Sequence, residues 1–233
     1  MRLEQRMPKA PIAVALDAPD LATTKLWATA VGPHVQVVKV GLEVFLRDGH
    51  AGVQTARAAS GCDIFLDLKL HDIPATVGGA AESISRLNPK YLTVHASGGK
   101  EMIKAAVDAV PDTLVTAVTI LTSLTAQKLT EIGWSGTPQD IVKRLAVQSV
   151  EAGARAIVCS PQEVAAVRAE VGSGTVLITP GVRPAGSDAG DQKRIATPQQ
   201  ALSDGADLLV IGRPITASAD LAVAAAQIAD SIR

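Results

Sequence analysis

Aromatic side chains are scarce in this chain: Trp27, Phe45, Phe65, Tyr91 and Trp134 are the whole set among 233 residues. Hydrophobic residues nevertheless make up 47% of the sequence, so the core must be built from Val, Ile, Leu and Ala, which suits parallel strands covered by Ala-rich helices. Cysteine is as sparse. Cys62 and Cys159 lie far apart, outside any CxxC or Cys/His ligand spacing, and read as buried reduced thiols rather than a disulfide framework or zinc site. Charge of one sign is missing too, with 22 basic residues against 23 acidic ones. With no basic cluster and no basic-aromatic alternation, neither a nucleic-acid nor an anionic-membrane surface is expected. Long apolar runs are absent: residues 1–9 are polar, and the run 12–16 stops at Asp17. That is too short for a signal segment or a membrane span, so the expectation is a cytoplasmic protein.

Eight short β-rich runs recur, at 12–17, 35–41, 63–70, 91–97, 113–121, 156–160, 175–181 and 208–212. Between them, residues 21–31, 43–59, 76–87, 100–110, 138–152, 162–171, 198–204 and 214–232 carry apolar residues at helical spacing. Asp20, Ser97, Thr137, Ser160 and Thr197 stand where helix caps are expected, and Gly153, Gly172 and Gly205 follow helix ends. Strict β/α alternation with no linker and no composition shift predicts one α/β domain over 1–233, a (β/α)8 TIM barrel. An open doubly wound sheet is the alternative, less favoured because neither GxGxxG nor GxxxxGK[ST] opens any helix.

In such a barrel the functional groups gather at the C-terminal ends of the strands. Asp67-Leu68-Lys69-Leu70-His71-Asp72 puts charges into a run that otherwise reads as a buried strand. With period-two alternation, Asp67 and Lys69 point one way and Leu66, Leu68 and Leu70 the other. An ion pair there is either structural or catalytic, and the hexapeptide alone leaves both open. Asp17 closes the first strand and Lys39 nears the end of the second; with Asp67, Lys69 and Asp72 they make an alternating cluster of carboxylates and ammonium groups. The last two strands supply different chemistry. Arg183 leads into a Gly/Ser/Asp-rich loop ending in Gln192-Lys193-Arg194, and strand eight runs into Gly212-Arg213-Pro214. Barrels often bind phosphate at this point, where backbone N–H groups and a guanidinium can meet the anion. His95 ends strand four without a carboxylate partner at ligand spacing and reads as a hydrogen-bonded barrel histidine; His71 is assigned no role. No nucleophile elbow or Ser-His-Asp arrangement supports acyl transfer.

Taken in order, Val14-Ala15-Leu16-Asp17, Lys39-Val40-Gly41, Asp67-Leu68-Lys69-Leu70-His71-Asp72-Ile73-Pro74, Val94-His95-Ala96-Ser97-Gly98-Gly99, Leu121-Thr122-Ser123, Thr179-Pro180-Gly181-Val182-Arg183-Pro184, Gly190-Asp191-Gln192 and Ile211-Gly212-Arg213-Pro214 resemble the orotidine 5′-phosphate decarboxylase family. The resemblance runs through essentially the whole chain. It implies decarboxylation of orotidine 5′-monophosphate to UMP, without metal or organic cofactor, by a homodimer with two shared active sites. Lys69 would protonate C6, Asp67 would lie beside the departing carboxylate, and Lys39 and the partner's Asp72 would complete the catalytic network. Asp17, Lys39 and Asp72 would reach the ribose hydroxyls, with Thr76 completing the site from the partner. Thr122 would contact the base, and Arg183, Gln192, Gly212 and Arg213 the phosphate.

Two other readings stay open from the sequence. A relative on the same barrel, a keto-gulonate-phosphate decarboxylase or hexulose-phosphate synthase, shares Asp-x-Lys-x-x-Asp but stabilises an enediolate with Mg²⁺. A non-enzymatic barrel that binds nucleotide without turnover would have no evident reason to keep the Asp67 and Lys69 charges.

Overall fold

The computed structural model describes residues 8–183 and 196–233. Eight parallel strands close on themselves in sequence order. They are β1 (Ala10–Ala15), β2 (Val35–Gly41), β3 (Asp63–Leu70), β4 (Tyr91–His95), β5 (Leu114–Val118), β6 (Ala156–Val158), β7 (Val176–Thr179) and β8 (Leu208–Ile211). β1 pairs with both β2 and β8, which closes the ring and leaves no free edge. Among the described residues no helix is long and apolar enough to cross a membrane.

Alternation along each strand sorts side chains into two cores. Ala13, Val37, Phe65, Tyr91, Val118, Ala156, Val158, Ile178 and Leu208 fill the lumen, with the Phe65 and Tyr91 rings tilted at 5.6 Å between centroids. Their neighbours Ile12, Val14, Val38, Val40, Ile64, Leu66, Leu92, Val94 and Ile157 face outward and pack beneath the helices. Large aliphatic side chains such as Ile12, Leu66 and Leu92 are fully buried there, each contributing about 1.5–3 kcal/mol by removal from water. The scarcity of aromatics is thereby accommodated: among the described residues Phe65 is the only aromatic ring lining the site, and small residues such as Ala13 and Ala156 share the lumen core with it.

The helices follow the expected segments with instructive differences. Leu21–Val31 starts at Asp20, whose carboxylate accepts from Thr23 N at 2.7 Å. Thr137 and Thr197 cap Pro138–Glu151 and Pro198–Ser203 in the same way. Ser97 and Ser160 do not cap as expected. Ser97 lies in a 3₁₀ turn, Ala96–Gly98, and Ser160 Oγ accepts from Gln162 N ahead of a helix that begins only at Val164. The helical segment 43–59 is two helices, Leu42–Asp48 and His50–Ser60, because Gly49 takes a positive φ of 55° between them. Likewise 214–232 divides into Arg213–Thr216 and Leu221–Ser231, the second capped by Asp220. A short helix, Ala126–Glu131, capped by Thr125, stands where none was expected.

Candidate active site

The C-terminal mouth of the barrel holds a cavity of about 580 Å³. Its floor is apolar, with Ala15, Phe65, Val118, Val158 and Val210 projecting up from five strands. Its polar wall comes from the first three strands. Lys39 and Asp67 both face inward on adjacent strands, one step above the lumen residues Val37 and Phe65. Asp17 lies just past the end of β1, beside them.

These side chains form one chain of alternating charge. Lys39 Nζ is 3.5 Å from Asp17 Oδ1 and 3.3 Å from Asp67 Oδ2, and Lys69 Nζ is 2.8 Å from Asp67 Oδ1. Burial grades along it: Lys39 and Asp67 are buried, Lys69 is half-buried and Asp17 is exposed. Burial works against the Asp67 carboxylate, but the charges of Lys39 and Lys69 and hydrogen bonds from Lys69 and Thr93 outweigh it and hold the carboxyl below its ordinary range. For Lys39 the balance has the same form. Desolvation favours the neutral amine, yet Asp67 and Asp17 together push its pKa above the ordinary lysine value. Both groups are therefore charged at neutral pH. Gly41 leaves room for these termini: a Cβ there would lie 3.0 Å from Lys39 Nζ and 3.1 Å from Asp17 Oδ1, closer than ordinary contact.

Asp67 and Lys69 reach the same cavity, as alternation suggested, but not by continuing a regular strand. The ladder between β3 and β4 is interrupted between Leu66 and Leu70, and Lys69 takes a left-handed φ of 50°. Thr93, wholly buried on β4, accepts a hydrogen bond from Lys69 N at 2.8 Å and donates one to Asp67 Oδ1 at 3.0 Å. The sequence reading passed over this threonine.

The opposite wall carries Thr122, Arg183, Gly212 and Arg213. Thr122 and Arg183 are buried, and Arg213 is exposed at the rim. Gln192 lies outside the described residues. Asp72 and Thr76 are not brought into this cavity: both are exposed, and the Asp72 carboxylate accepts from Ile73 N at 2.6 Å. His95 differs from expectation. Its contact is the His71 ring at 5.3 Å between centroids rather than a hydrogen-bond partner among the described residues. Desolvation, then His71 and Lys69, lower its pKa against a smaller opposing pull from Asp67, so the imidazole is neutral at pH 7.

Chemically, the mouth offers two fixed ammonium groups, a buried carboxylate between them and guanidinium groups some way across an apolar floor. That suits a substrate whose body rests on the apolar floor, with an anionic handle at one end and negative charge developing at the other.

Comparison with known proteins agrees. Residues 10–228 match the family model described as Orotidine 5'-phosphate decarboxylase / HUMPS family. The orotidine 5'-phosphate decarboxylase of Thermobifida fusca (strain YX) is 61% identical over 224 residues, covering 96% of each chain. That of Frankia casuarinae is 56% identical, covering 95% of this chain and 87% of its own length. The crystal structure of orotidine 5'-phosphate decarboxylase from Lactobacillus acidophilus superposes with a TM-score of 0.83 at 32% identity, covering 97% of this chain and all of the other. By sequence over nearly its full length and by fold, the chain belongs to the orotidine 5'-phosphate decarboxylase / HUMPS family.

Proposed function

We propose that the whole chain acts as one catalytic domain that decarboxylates orotidine 5′-monophosphate to UMP and carbon dioxide, a carboxy-lyase step of pyrimidine biosynthesis. The observation that carries this reading is the Asp17, Lys39, Asp67, Lys69 charge chain set over an apolar floor. Loss of carbon dioxide leaves an electron pair in the plane of the ring at C6, where the π system cannot delocalise it. Electrostatics must then stabilise it. Ammonium groups already held in place stabilise charge that develops at C6 more than they stabilise the bound substrate, which is the condition for acceleration. Lys69, the less buried of the two lysines, is the proton donor that converts the C6 carbanion to the C–H of UMP. Asp67 lies beside the departing carboxylate and helps to keep Lys39 charged.

The remaining roles follow the layout of the walls. Asp17 and Lys39 reach the ribose hydroxyls, Thr122 contacts the base, and Arg183, Arg213 and the backbone at Gly212 hold the phosphate, joined by Gln192. A grip on a group remote from C6 can be used to hold the base against the charges, so trimming the phosphate lowers turnover as well as affinity. Asp72 and Thr76 serve the partner's site in a homodimer. Both are exposed and neither lines the cavity of its own chain, which supports that assignment. The enzyme works in the cytoplasm.

A relative of the HUMPS branch would use a divalent cation to stabilise an enediolate. Here the Lys39 ammonium occupies the space between Asp17 and Asp67, which favours chemistry without a metal. The test is release of carbon dioxide from orotidine 5′-monophosphate by the purified protein, followed with a keto-gulonate phosphate in parallel. Turnover of the nucleotide alone is expected; turnover of the sugar phosphate alone would overturn the reading.

A further inference from the structure

β3 enters the charged rim through an irregularity that one side chain of its neighbour accommodates. The ladder aligns Phe65 with Tyr91 and Leu66 with Leu92, then resumes at Leu70 with Val94. Asp67, Leu68 and Lys69 therefore stand opposite Thr93 alone. Such an expansion twists a strand and re-aims its side chains, and it takes Lys69 N–H out of the backbone ladder. It also holds Lys69 at a φ of 50°, which for a residue with a Cβ costs on the order of 1–3 kcal/mol and persists only where surrounding contacts enforce it.

Thr93 supplies those contacts. Its hydroxyl has one proton and two lone pairs, and here the proton goes to Asp67 Oδ1 at 3.0 Å while a lone pair takes Lys69 N–H at 2.8 Å. The same Oδ1 accepts Lys69 Nζ at 2.8 Å. Backbone amide, hydroxyl, carboxylate and ammonium thus close a ring that starts and ends on Lys69. Thr93 itself is wholly buried and β-branched, so few rotamers are open to it.

We propose that Thr93 is a positioning residue for the decarboxylation, tying the strained backbone of Lys69 to the Asp67 carboxylate and so fixing the angle at which the two charges meet C6. The proposal rests on the reaction assigned above. Misplacing a reacting group by about 1 Å can cost on the order of 10²-fold in rate, so a clamp of this kind acts on turnover more than on binding. Besides Thr93, the groups facing Asp67 are Lys39 from β2, Lys69 from its own strand and His95 from β4, with Asp17 behind Lys39.

Thr93→Val keeps the shape and removes the hydroxyl. It is expected to lower kcat about 10- to 100-fold, the range seen when partners that orient functional ligands are removed, with KM changed far less. Thr93→Ser, which keeps the hydroxyl, should restore most of kcat. Should the valine variant fail to fold, Thr93→Ala against Thr93→Ser makes the same comparison, since both lose the methyl and only one keeps the hydroxyl. In substrate-free protein, the Asp67 carboxyl followed by ¹³C NMR should titrate at higher pH without the hydroxyl than with it. Wild-type kcat in the valine variant, a serine variant no better than alanine, or an unchanged Asp67 titration would each overturn the proposal. Absence of nucleotide turnover in the wild type would instead overturn the reaction, and the Asp67 titration would still decide the clamp.

Discussion

Replacing Lys39 with methionine removes the central cation of the site while keeping an unbranched apolar stem. Lys39 Nζ lies 3.3 Å from Asp67 and 3.5 Å from Asp17, and at an effective dielectric constant of about 20 each contact is worth roughly 5 kcal/mol of gross attraction. Most of the Asp67 contact is spent on keeping both groups out of water. The net cost of stripping one partner from a buried pair is about 3–5 kcal/mol, because the other charge stays behind. With a urea slope of about 2–3 kcal/mol/M, Lys39→Met should lower the unfolding midpoint by about 1 M or more at pH 7.

The pH dependence has a definite sign. Asp67 in the wild type lies below 3.8, so its contribution is present above that value and is lost as pH falls through the lower folded pKa. In the variant the Asp67 pKa rises, the carboxyl protonates sooner, and the gap between the two proteins narrows from pH 7 toward pH 4. The Lys39 contribution is fully present below 10.5 and is lost as pH rises through its higher folded value. Turnover should fall about 10²- to 10³-fold, the scale of one preorganised charge-stabilising group. A variant with the wild-type midpoint, or one whose deficit stays constant between pH 7 and 4, would refute the reasoning.

Other perturbations separate the remaining roles. Lys69→Ala should abolish decarboxylation while UMP binding, read by calorimetry, stays measurable; retention of most activity would remove Lys69 as proton donor. Mixing inactive Asp72→Ala and Lys69→Ala homodimers should regenerate activity through heterodimers, and no recovery after verified subunit exchange would count against shared sites. Arg213→Ala should raise KM for the nucleotide and lower kcat/KM, yet leave the slow reaction of a substrate lacking phosphate unchanged; an equal loss on both substrates would place Arg213 elsewhere. Gly41→Val should push Lys39 Nζ off Asp17, lowering kcat/KM with little loss of stability.

Much of this architecture can be read from the sequence, and the failures have physical causes. β2 and β3 begin and end where the apolar runs do because both faces of each strand are buried, by the lumen on one side and helices on the other. The divided helices at Gly49 and before Asp220 escaped because the apolar spacing continues across each break while the backbone does not. Ala126–Glu131 is too short for periodicity to register and is marked only by the Thr125 cap. Lys39, Asp67 and Lys69 stood out because charge in an apolar strand is anomalous in one dimension. Thr93 did not, since a threonine in a strand is ordinary. Its importance comes from facing an irregularity on the neighbouring strand, and only the pairing register displays that.

The central claim is that fixed ammonium groups, rather than a bound cation, carry the charge that develops at C6, and that Lys69 then delivers the proton. Decarboxylation of orotidine 5′-monophosphate in D₂O with excess EDTA, the product read by NMR, tests both parts at once. Full activity with a single deuterium at C6 of UMP in the wild type, and none in Lys69→Ala, is the expected result. Loss of turnover on chelation, restored by Mg²⁺, or deuterium delivered at an undiminished rate by Lys69→Ala, would contradict it.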